Sequence, residues 1–480
     1  MDFSKRELRL RKVLCSFGML SMVLFASCEK DDVMKEVDSD SSQEKKEESS
    51  LNYRALFSTD HKIGEDEAKE LALNASSLFA GDGNGLKSGR ARTIGDIRAL
   101  RSEETTLRSG SEDEVLIPDT LAYVCNFADS AGFAIICADD RVGCPILACV
   151  DNGTLGEDTD NPGLAIFLDN AQVFMRNSIA KFEMEKDSLL EVAKQRIPET
   201  DSVTLKRKLT GNYYYLKGNV KVGPLLRTEW AQSGDPYNNL MKDCPSNISS
   251  HAPAGCWAVA IGQLMAYYKY PTGFMRRTSR GDIGVRLDWD EITKKKDADS
   301  LRQQSYKDQV SLLLYEIGFR IGMNWQCDGS GASSDDVIKY MESTGYGGCG
   351  KFAYNFEFIR KNLLDSYRPA CMSGYQIRRN KFIGYSYSDG HAWIVDGYAA
   401  VVADHYSYVI DLSTGMCKET YVNTVLRQKY LHVNWGWGGS NNGYYAEGCF
   451  DTKEGDFDYP HYNNMESNYQ YKINIFPFYR

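Results

Sequence analysis

The feature that most constrains the fold is the order of three short segments in the second half of the chain. The first, GCWAVAIGQLMAYYKYP, has apolar residues at helical spacing and predicts a helix with Cys256 in its first turn. The second, SYSDGHAWIVDGYAAV, places His391 after a glycine turn at the start of a predicted strand, and the third, YLHVNWGWGGSNNGYY, ends another strand in Asn434 and Trp435. This order predicts a helix-rich half followed by a strand-rich half.

Each segment has a structural and a chemical interpretation. A cysteine in the first turn of a helix meets free N–H groups and the positive helix end, which favour a thiolate. A histidine fixed on a strand suits a general base. Asn434 could orient that imidazole and Trp435 could shield the hydrogen bond from water. Taken singly, Cys256 fits a buried thiol, His391 a structural histidine and the glycine turn a structural turn.

The three segments in this order resemble papain-like cysteine proteases, and more closely the streptopain family of secreted papain-fold endopeptidases made as zymogens. Further matching stretches are PLLRTEWAQSGDPYNNLMKDCP, CDGSGASSDDVIKYM and RPACMSGY, so the resemblance covers residues 224–480 nearly throughout. An earlier stretch, GFAIICADDRVGCPIL, resembles the inhibitory propeptide of that family.

The resemblance implies a role for each site residue. Cys256 would be the thiolate nucleophile, His391 its ion-pair partner and general acid/base, and Gln232 the oxyanion-hole glutamine, with Asn434 or Trp435 holding His391. It also implies a preference for a hydrophobic substrate residue two places before the scissile bond. The predicted substrate-binding residues are Ser330, Gly331, Ala332, Ser333, Ser334 and Gly390. No metal or organic cofactor is implied.

The expected fold class is α+β, with a small α+β propeptide domain before a papain-like domain that has a helical and an antiparallel β subdomain. The propeptide is predicted over residues 55–205, a cleavable linker over 206–223 and the catalytic domain over 224–480. Within the propeptide, residues 81–115, rich in Gly, Arg and Ser, are expected to form a loop. Cleavage is expected between about Lys206 and Gly223, by the enzyme itself, and would release the inhibition by its own propeptide.

The N-terminal segment predicts export. Residues 1–28 combine basic residues, an apolar stretch and small residues before Cys28, which resembles the lipidation site of a bacterial lipoprotein, although an ordinary signal peptide has the same general form. Residues 29–54 are charged and serine-rich, so they predict a disordered tether. We therefore expect an outer-membrane or cell-surface lipoprotein, attached to the membrane by its lipid until processing can release the enzyme.

Composition excludes some partners. A net charge of −10 is unfavourable for nucleic-acid binding. Proteins and peptides are the substrates that the resemblance to streptopain implies. The 13 cysteines are scattered, contain no C-x-x-C pair and do not predict a disulfide framework. No His/Cys pair has zinc-site spacing.

Three alternatives remain at this stage. The chain could be a surface-anchored binding module with an inert cysteine, or another Cys-His acyl-transfer enzyme such as a transglutaminase or amidase. It could also be a protease inhibitor, because its first domain resembles an inhibitory propeptide. A complete set of Cys256, His391, Asn434 and Gln232 favours the protease.

Overall fold

The structure is a computed structural model. It describes residues 55, 60–79, 92–102, 106–108, 114–196, 208–245, 250–279, 281–380, 384–411, 417–451 and 469–480. The predicted signal sequence, Cys28 and the predicted tether lie outside these residues. Among the residues that are described, no helix is long and apolar enough to cross a membrane.

The first folded unit packs helices against an antiparallel meander. Acidic side chains occupy the first turn of its first helix, where they interact favourably with the free N–H groups. One face of the same helix buries three alanines and Phe79. The meander strands are buried along most of their length. The elements are α1 (Glu65–Phe79), β1 (Ile94–Arg101), β2 (Thr106–Arg108), β3 (Glu114–Leu116), β4 (Thr120–Phe127), β5 (Phe133–Cys137), β6 (Ile146–Val150) and α2 (Pro162–Arg196).

The helical part of the second unit forms a core of its own around a buried helix that begins at Cys256. Its other elements are the hairpins and helices that follow in the chain. In order, the elements after α2 are β7 (Lys208–Val222), α3 (Cys256–Tyr268), β8 (Gly273–Thr278), β9 (Gly281–Arg286), α4 (Trp289–Ile292), α5 (Gln304–Arg320), β10 (Asn324–Gln326), β11 (Gly329–Gly331) and α6 (Ser334–Ser343).

The last part of the chain supplies most of a large antiparallel sheet. Its elements are β12 (Phe352–Ala353), α7 (Phe356–Ser366), β13 (Ala370–Asn380), β14 (Gly384–Asp411), β15 (Cys417–Asn434), β16 (Gly443–Ala446) and β17 (Tyr469–Phe476). The strand order is β1-β4-β5-β6-β16-β15-β14-β13-β17-β12. Because β6 pairs with β16, the sheet of the first unit continues directly into that of the second.

Two segments that the sequence marks as irregular contain strands. In the predicted loop 81–115, β1 pairs antiparallel with β4. In the predicted linker 206–223, β7 pairs antiparallel with β14, from Tyr398 opposite Val222 to Asp411 opposite Lys208. Aromatic and β-branched residues in β7 suit a strand, and β14 extends beyond the end of β13, so its edge is open to β7. The linker is therefore a paired strand along most of its length.

The predicted α+β class is confirmed. The helical subdomain and the antiparallel β subdomain have separate cores, and a small α+β unit precedes them. Cys256 begins a helix of the helical subdomain, whereas His391 and Asn434 lie on neighbouring strands of the sheet. The site therefore forms where the two subdomains meet.

Candidate active site

Cys256 begins α3, directly after a glycine whose positive φ disfavours any other residue. Gly255 is the N-cap and has φ 96° and ψ 140°. A Cβ on Gly255 would lie 2.6 Å from Cε of Met323. Ten of the following helix residues are buried, so α3 is a rigid support. The predicted presentation of Cys256 in a first helical turn is what the structure has.

The thiol of Cys256 is uncharged in this arrangement. Cys256 is free and keeps some accessible surface, but protein atoms enclose its sulfur. This burial raises the pKa of the thiol, and hydrogen bonds from the N–H groups of Ala392, Trp257 and Cys256 itself oppose the effect only in part. The Ala392 contact places the sulfur beside the residue that follows His391.

His391 is buried and held by a main-chain group. Its Nε2 donates a hydrogen bond to the carbonyl oxygen of Trp435 at 2.9 Å. Burial lowers the pKa of His391 from 6.5 to about 4, against the opposing effect of that carbonyl. In the part of the chain that the structure describes, no hydrogen bond or ion pair joins His391 to Cys256. The raised pKa of the thiol and the lowered pKa of the imidazole leave both groups neutral at pH 7.

Among the described residues, Asn434 makes no hydrogen bond to His391. Its Nδ2 donates to the carbonyl of Thr228 at 2.9 Å, and its Oδ1 accepts from the N–H of Gly436 at 3.1 Å. The indole of Trp435 donates to the hydroxyl of Tyr445. Of the two residues predicted to hold His391, Trp435 does so, through its main chain rather than its side chain.

Aromatic rings surround the imidazole. Trp437 meets the His391 ring edge-on at a centroid distance of 5.8 Å, and Trp393 lies nearly parallel to it at 6.3 Å. Trp435 in turn packs against Trp393 at 5.2 Å. These rings help to bury the imidazole; the shielding predicted for Trp435 concerned a hydrogen bond between Asn434 and His391, which the described residues do not form.

Gln232 lies next to the segment that leads into Cys256. Its carbonyl accepts a hydrogen bond from the N–H of Ala254 at 2.7 Å. Gln232 therefore lies beside the residues that directly precede α3, and it is partly exposed there. This location is compatible with an oxyanion-hole donor.

The predicted substrate-binding residues divide into two groups. The carbonyl oxygen of Ser330 would lie 3.4 Å from a Cβ on Gly255, so β11 borders the nucleophile. Gly390 is exposed beside His391. By contrast, the hydroxyl of Ser333 caps α6 and that of Ser334 accepts from Lys351, so local structure occupies both. Gly331 is the last residue of β11, and Ala332 lies between it and the N-cap of α6.

A disulfide joins Cys244 to Cys327, with the Cα atoms 5.6 Å apart. The sequence does not reveal it, because the two cysteines are 83 residues apart and have no local pattern. Cys327 lies just before β11, so the bond ties the loop near Ser330 to the loop after Gln232. Among the described residues, no cluster of His, Cys, Asp and Glu could hold a metal ion.

The first unit covers the site. Gly163 in α2 lies so close to the catalytic strands that a Cβ on it would come within 2.7 Å of Cδ2 of His391 and 2.4 Å of Cε3 of Trp435. The side chain of Asn161 fixes this approach, because its Oδ1 accepts from the N–H groups of Gly163 and Leu164. The burial that keeps His391 neutral therefore includes a contact from the propeptide.

Strand pairing and ring contacts attach the propeptide to the protease unit. Val150 of β6 pairs with Gly443 of β16. Phe79 of α1 stacks on Tyr444 at 4.9 Å, and Phe167 of α2 meets Tyr445 at 4.7 Å. These contacts hold α2 against His391.

Comparison with known proteins matches two families to successive parts of the chain. The peptidase C10 family matches residues 230–445, and the Spi protease inhibitor family matches residues 61–175. The thiol protease/hemagglutinin PrtT of Porphyromonas gingivalis is 23% identical over 343 residues, which are 68% of this chain and 33% of PrtT. Streptopain of Streptococcus pyogenes is 23% identical over 241 residues, 44% of this chain and 52% of streptopain. The chain thus spans between a third and about half of the length of these relatives.

Two solved structures from Prevotella intermedia are similar. A fragment of prointerpain A has a TM-score of 0.44 and 20% identity, covering 79% of this chain and 97% of the fragment. Active interpain A has a TM-score of 0.33 and 21% identity, covering 53% of this chain and 93% of that structure. From the two family matches, the chain contains a domain of the peptidase C10 family, that of streptopain, over residues 230–445, with a Spi-type inhibitor domain ahead of it over residues 61–175.

Proposed function

We propose that the protein is a cysteine endopeptidase made as a zymogen, in which Cys256 attacks peptide bonds and His391 transfers the protons. The observation that carries the proposal is the enclosure of the Cys256 sulfur against the N–H of Ala392, one residue from a histidine whose orientation is fixed by the Trp435 carbonyl. Because Nε2 of His391 donates to that carbonyl, Nδ1 of the neutral ring carries no proton and can accept one.

The reaction follows from these positions once the propeptide has left. Nδ1 of His391 takes the proton of the Cys256 thiol, and the thiolate attacks the substrate carbonyl. The side chain of Gln232 and the N–H of Cys256 stabilise the oxyanion, each contributing on the order of 10²-fold in rate. The imidazolium then protonates the leaving amine, an acyl-enzyme forms, and a water deprotonated by His391 releases the product.

Specificity is part of the same proposal. A hydrophobic substrate residue two places before the scissile bond would enter the cleft that β11 borders, near Ser330 and Ser334. Gly390 leaves room beside His391 for the substrate backbone. The contact between Ser330 and the position of Gly255 supports this placement.

Activation requires removal of the propeptide. Cleavage between Lys206 and Gly223, by the enzyme itself, would separate the inhibitor-type domain from the protease domain. The pairing of β7 with β14 supports a slow step before cleavage, since proteolysis of a paired strand needs local opening. A signal sequence and lipidation at Cys28 would export the zymogen to the outer membrane or cell surface, and cleavage would leave the lipid with the propeptide.

Incubation of the wild type and of Cys256→Ala with casein tests the function, with mass mapping of the casein and of the protein itself. We expect the wild type to cut casein and to lose its propeptide, and the variant to do neither when pure. Processing of pure Cys256→Ala at the wild-type rate would contradict self-cleavage. Amine incorporation without peptide cleavage would identify a transglutaminase instead, and an inert protein a binding module.

A further inference from the structure

We propose that Gln263 is a positioning residue for the oxyanion hole, acting with Asn434 as a buried amide pair that fixes the segment leading to Gln232. The proposal rests on the functions proposed above for Cys256, His391 and Gln232. It gives Asn434 a role other than orienting His391, with which it has no hydrogen bond.

Gln263 lies in the middle of α3, seven residues after Cys256 and hence about two helical turns from it. It is 1% exposed among apolar neighbours. Its Oε1 accepts a hydrogen bond from the N–H of Trp230 at 3.0 Å, and its Nε2 donates to Oδ1 of Asn434 at 3.3 Å. A buried polar side chain on the nucleophile helix thus connects to both other catalytic segments.

The orientation of the two amides follows from their main-chain partners. The N–H of Trp230 can only donate, so it requires the oxygen of Gln263, and the carbonyl of Thr228 can only accept, so it requires the nitrogen of Asn434. The N–H of Gly436 requires the oxygen of Asn434. All three constraints agree, and they leave Nε2 of Gln263 facing Oδ1 of Asn434.

The pair holds the segment before Gln232 from one side. Trp230 is bound at its N–H by Gln263 and at its carbonyl by the N–H of Gly438. Gln232 itself is tied through its carbonyl to Ala254, two residues before Cys256. The segment around Gln232 is therefore hydrogen-bonded at two points, to Gln263 of α3 and to Ala254 just before α3. A displacement of Gln263 would change the position of Gln232 relative to Cys256.

The same pair also connects to the end of β15, next to the residue whose carbonyl holds His391. Asn434 directly precedes Trp435, whose carbonyl binds His391. Hydrogen bonds restrict direction as well as distance, whereas apolar contacts between the same elements would allow sliding. This hydrogen-bond network is suited to fixing the relative positions of α3, the segment before Gln232 and the end of β15, on which the proposed reaction depends.

The test is a double-mutant cycle between Gln263→Met and Gln232→Ala. Each full-length variant is processed with a trace of tagged wild-type enzyme, which is then removed, and kcat and KM are measured on one peptide substrate. We expect Gln263→Met to lower kcat by about tenfold or more in the wild-type background, a part of the 10²-fold contribution of one oxyanion donor, with little change in KM. In the Gln232→Ala background it should lower kcat less than twofold.

Alkylation of Cys256 by iodoacetamide separates positioning from general damage, because alkylation needs the thiolate but no oxyanion hole. We expect processed Gln263→Met to be alkylated within twofold of the wild-type rate. Ser311→Ala is the matched control, since Ser311 is a buried polar residue of α5 whose hydroxyl has no hydrogen-bond partner in the described part of the chain, and its kcat should stay unchanged.

Equal losses of kcat in both backgrounds, or alkylation that falls together with kcat, would overturn the proposal. If Gln263→Met does not fold, Gln263→Glu goes through the same cycle, because it keeps an oxygen for Trp230 but loses the donor to Asn434 while it is ionised. A wild-type enzyme that cannot cut the peptide would contradict the proposed function itself, which makes the two failures distinguishable.

Discussion

Gly163 of the propeptide lies against the imidazole of His391, with no room for even one additional carbon between them. A Cβ at residue 163 would come within 2.7 Å of Cδ2 of His391. This contact places the beginning of α2 directly on the proposed catalytic base. The inhibitor-type domain thus reaches the chemistry itself as well as the surface around it.

Replacing Gly163 with alanine should weaken the closed zymogen. Overpacking of a buried contact costs about 1–3 kcal/mol, so we expect processing of the full chain to accelerate by about tenfold. The processed enzyme is identical in both cases, because residue 163 leaves with the propeptide. Gly64→Ala is the control, since its Cβ would meet nothing within 4 Å. Equal processing rates for the two variants, measured by gel densitometry, would show that α2 does not restrain His391.

Acid should favour opening of the zymogen. Burial holds the pKa of His391 at about 4 in the closed form, against 6.5 for the ordinary group. Below pH 6.5 an open form takes up a proton that the closed form does not, so the contribution of His391 to closure is complete above pH 6.5 and decreases as the pH falls towards 4. At pH 5 the free energy that His391 contributes to closure has fallen by about 2 kcal/mol.

The measurement is binding of the separately produced propeptide domain to the processed enzyme between pH 7 and 5. We expect the dissociation constant to rise by about tenfold or more over this range. The Gly64→Ala propeptide should follow the same curve. A dissociation constant that stays constant, or falls, towards pH 5 would contradict burial of a neutral His391 as the cause.

Thiol reactivity should differ between the zymogen and the processed enzyme. In the full chain, burial raises the pKa of the Cys256 thiol and no charged imidazole faces it. Alkylation by iodoacetamide should therefore be slow below pH 8 and rise with pH. After processing, His391 is free to take the proton of the thiol as a general base, so alkylation should begin at a lower pH than in the full chain. Mass spectrometry of the Cys256 peptide gives both rates, and identical pH profiles would mean that the propeptide leaves the pair unchanged.

The sequence predicts the positions of the site residues better than the hydrogen bonds between them. The positions of Cys256, His391 and Trp435 follow from motifs, because a helix start and two strand ends have local signatures. The role of Asn434 does not, since its partners Thr228 and Gln263 are distant in sequence. One signal was present, however: a glutamine in an otherwise apolar helix must find buried partners.

The fold shows a similar division. Hydrophobic periodicity predicts α3, whereas β7 lies in a segment whose polar composition predicts a linker. A strand of that kind is stabilised by its neighbour, here the open edge of β14, and such tertiary pairing overrides local composition. The continuity of β6 with β16 depends on docking of two domains and has no local pattern at all.

The bond between Cys244 and Cys327 should stabilise the protease domain. It closes a loop of 83 residues, and a cross-link of this kind contributes about 2–4 kcal/mol. We expect the double variant Cys244→Ser, Cys327→Ser to lower the free energy of unfolding by that amount in urea titrations followed by tryptophan fluorescence. A reductant should destabilise the wild type to the same extent and leave the double variant unchanged. Cys349→Ser, at a free cysteine of the same domain, is the control and should keep the sensitivity to reductant. If wild type and double variant unfold at the same urea concentration under oxidising conditions, the two cysteines are not joined in solution.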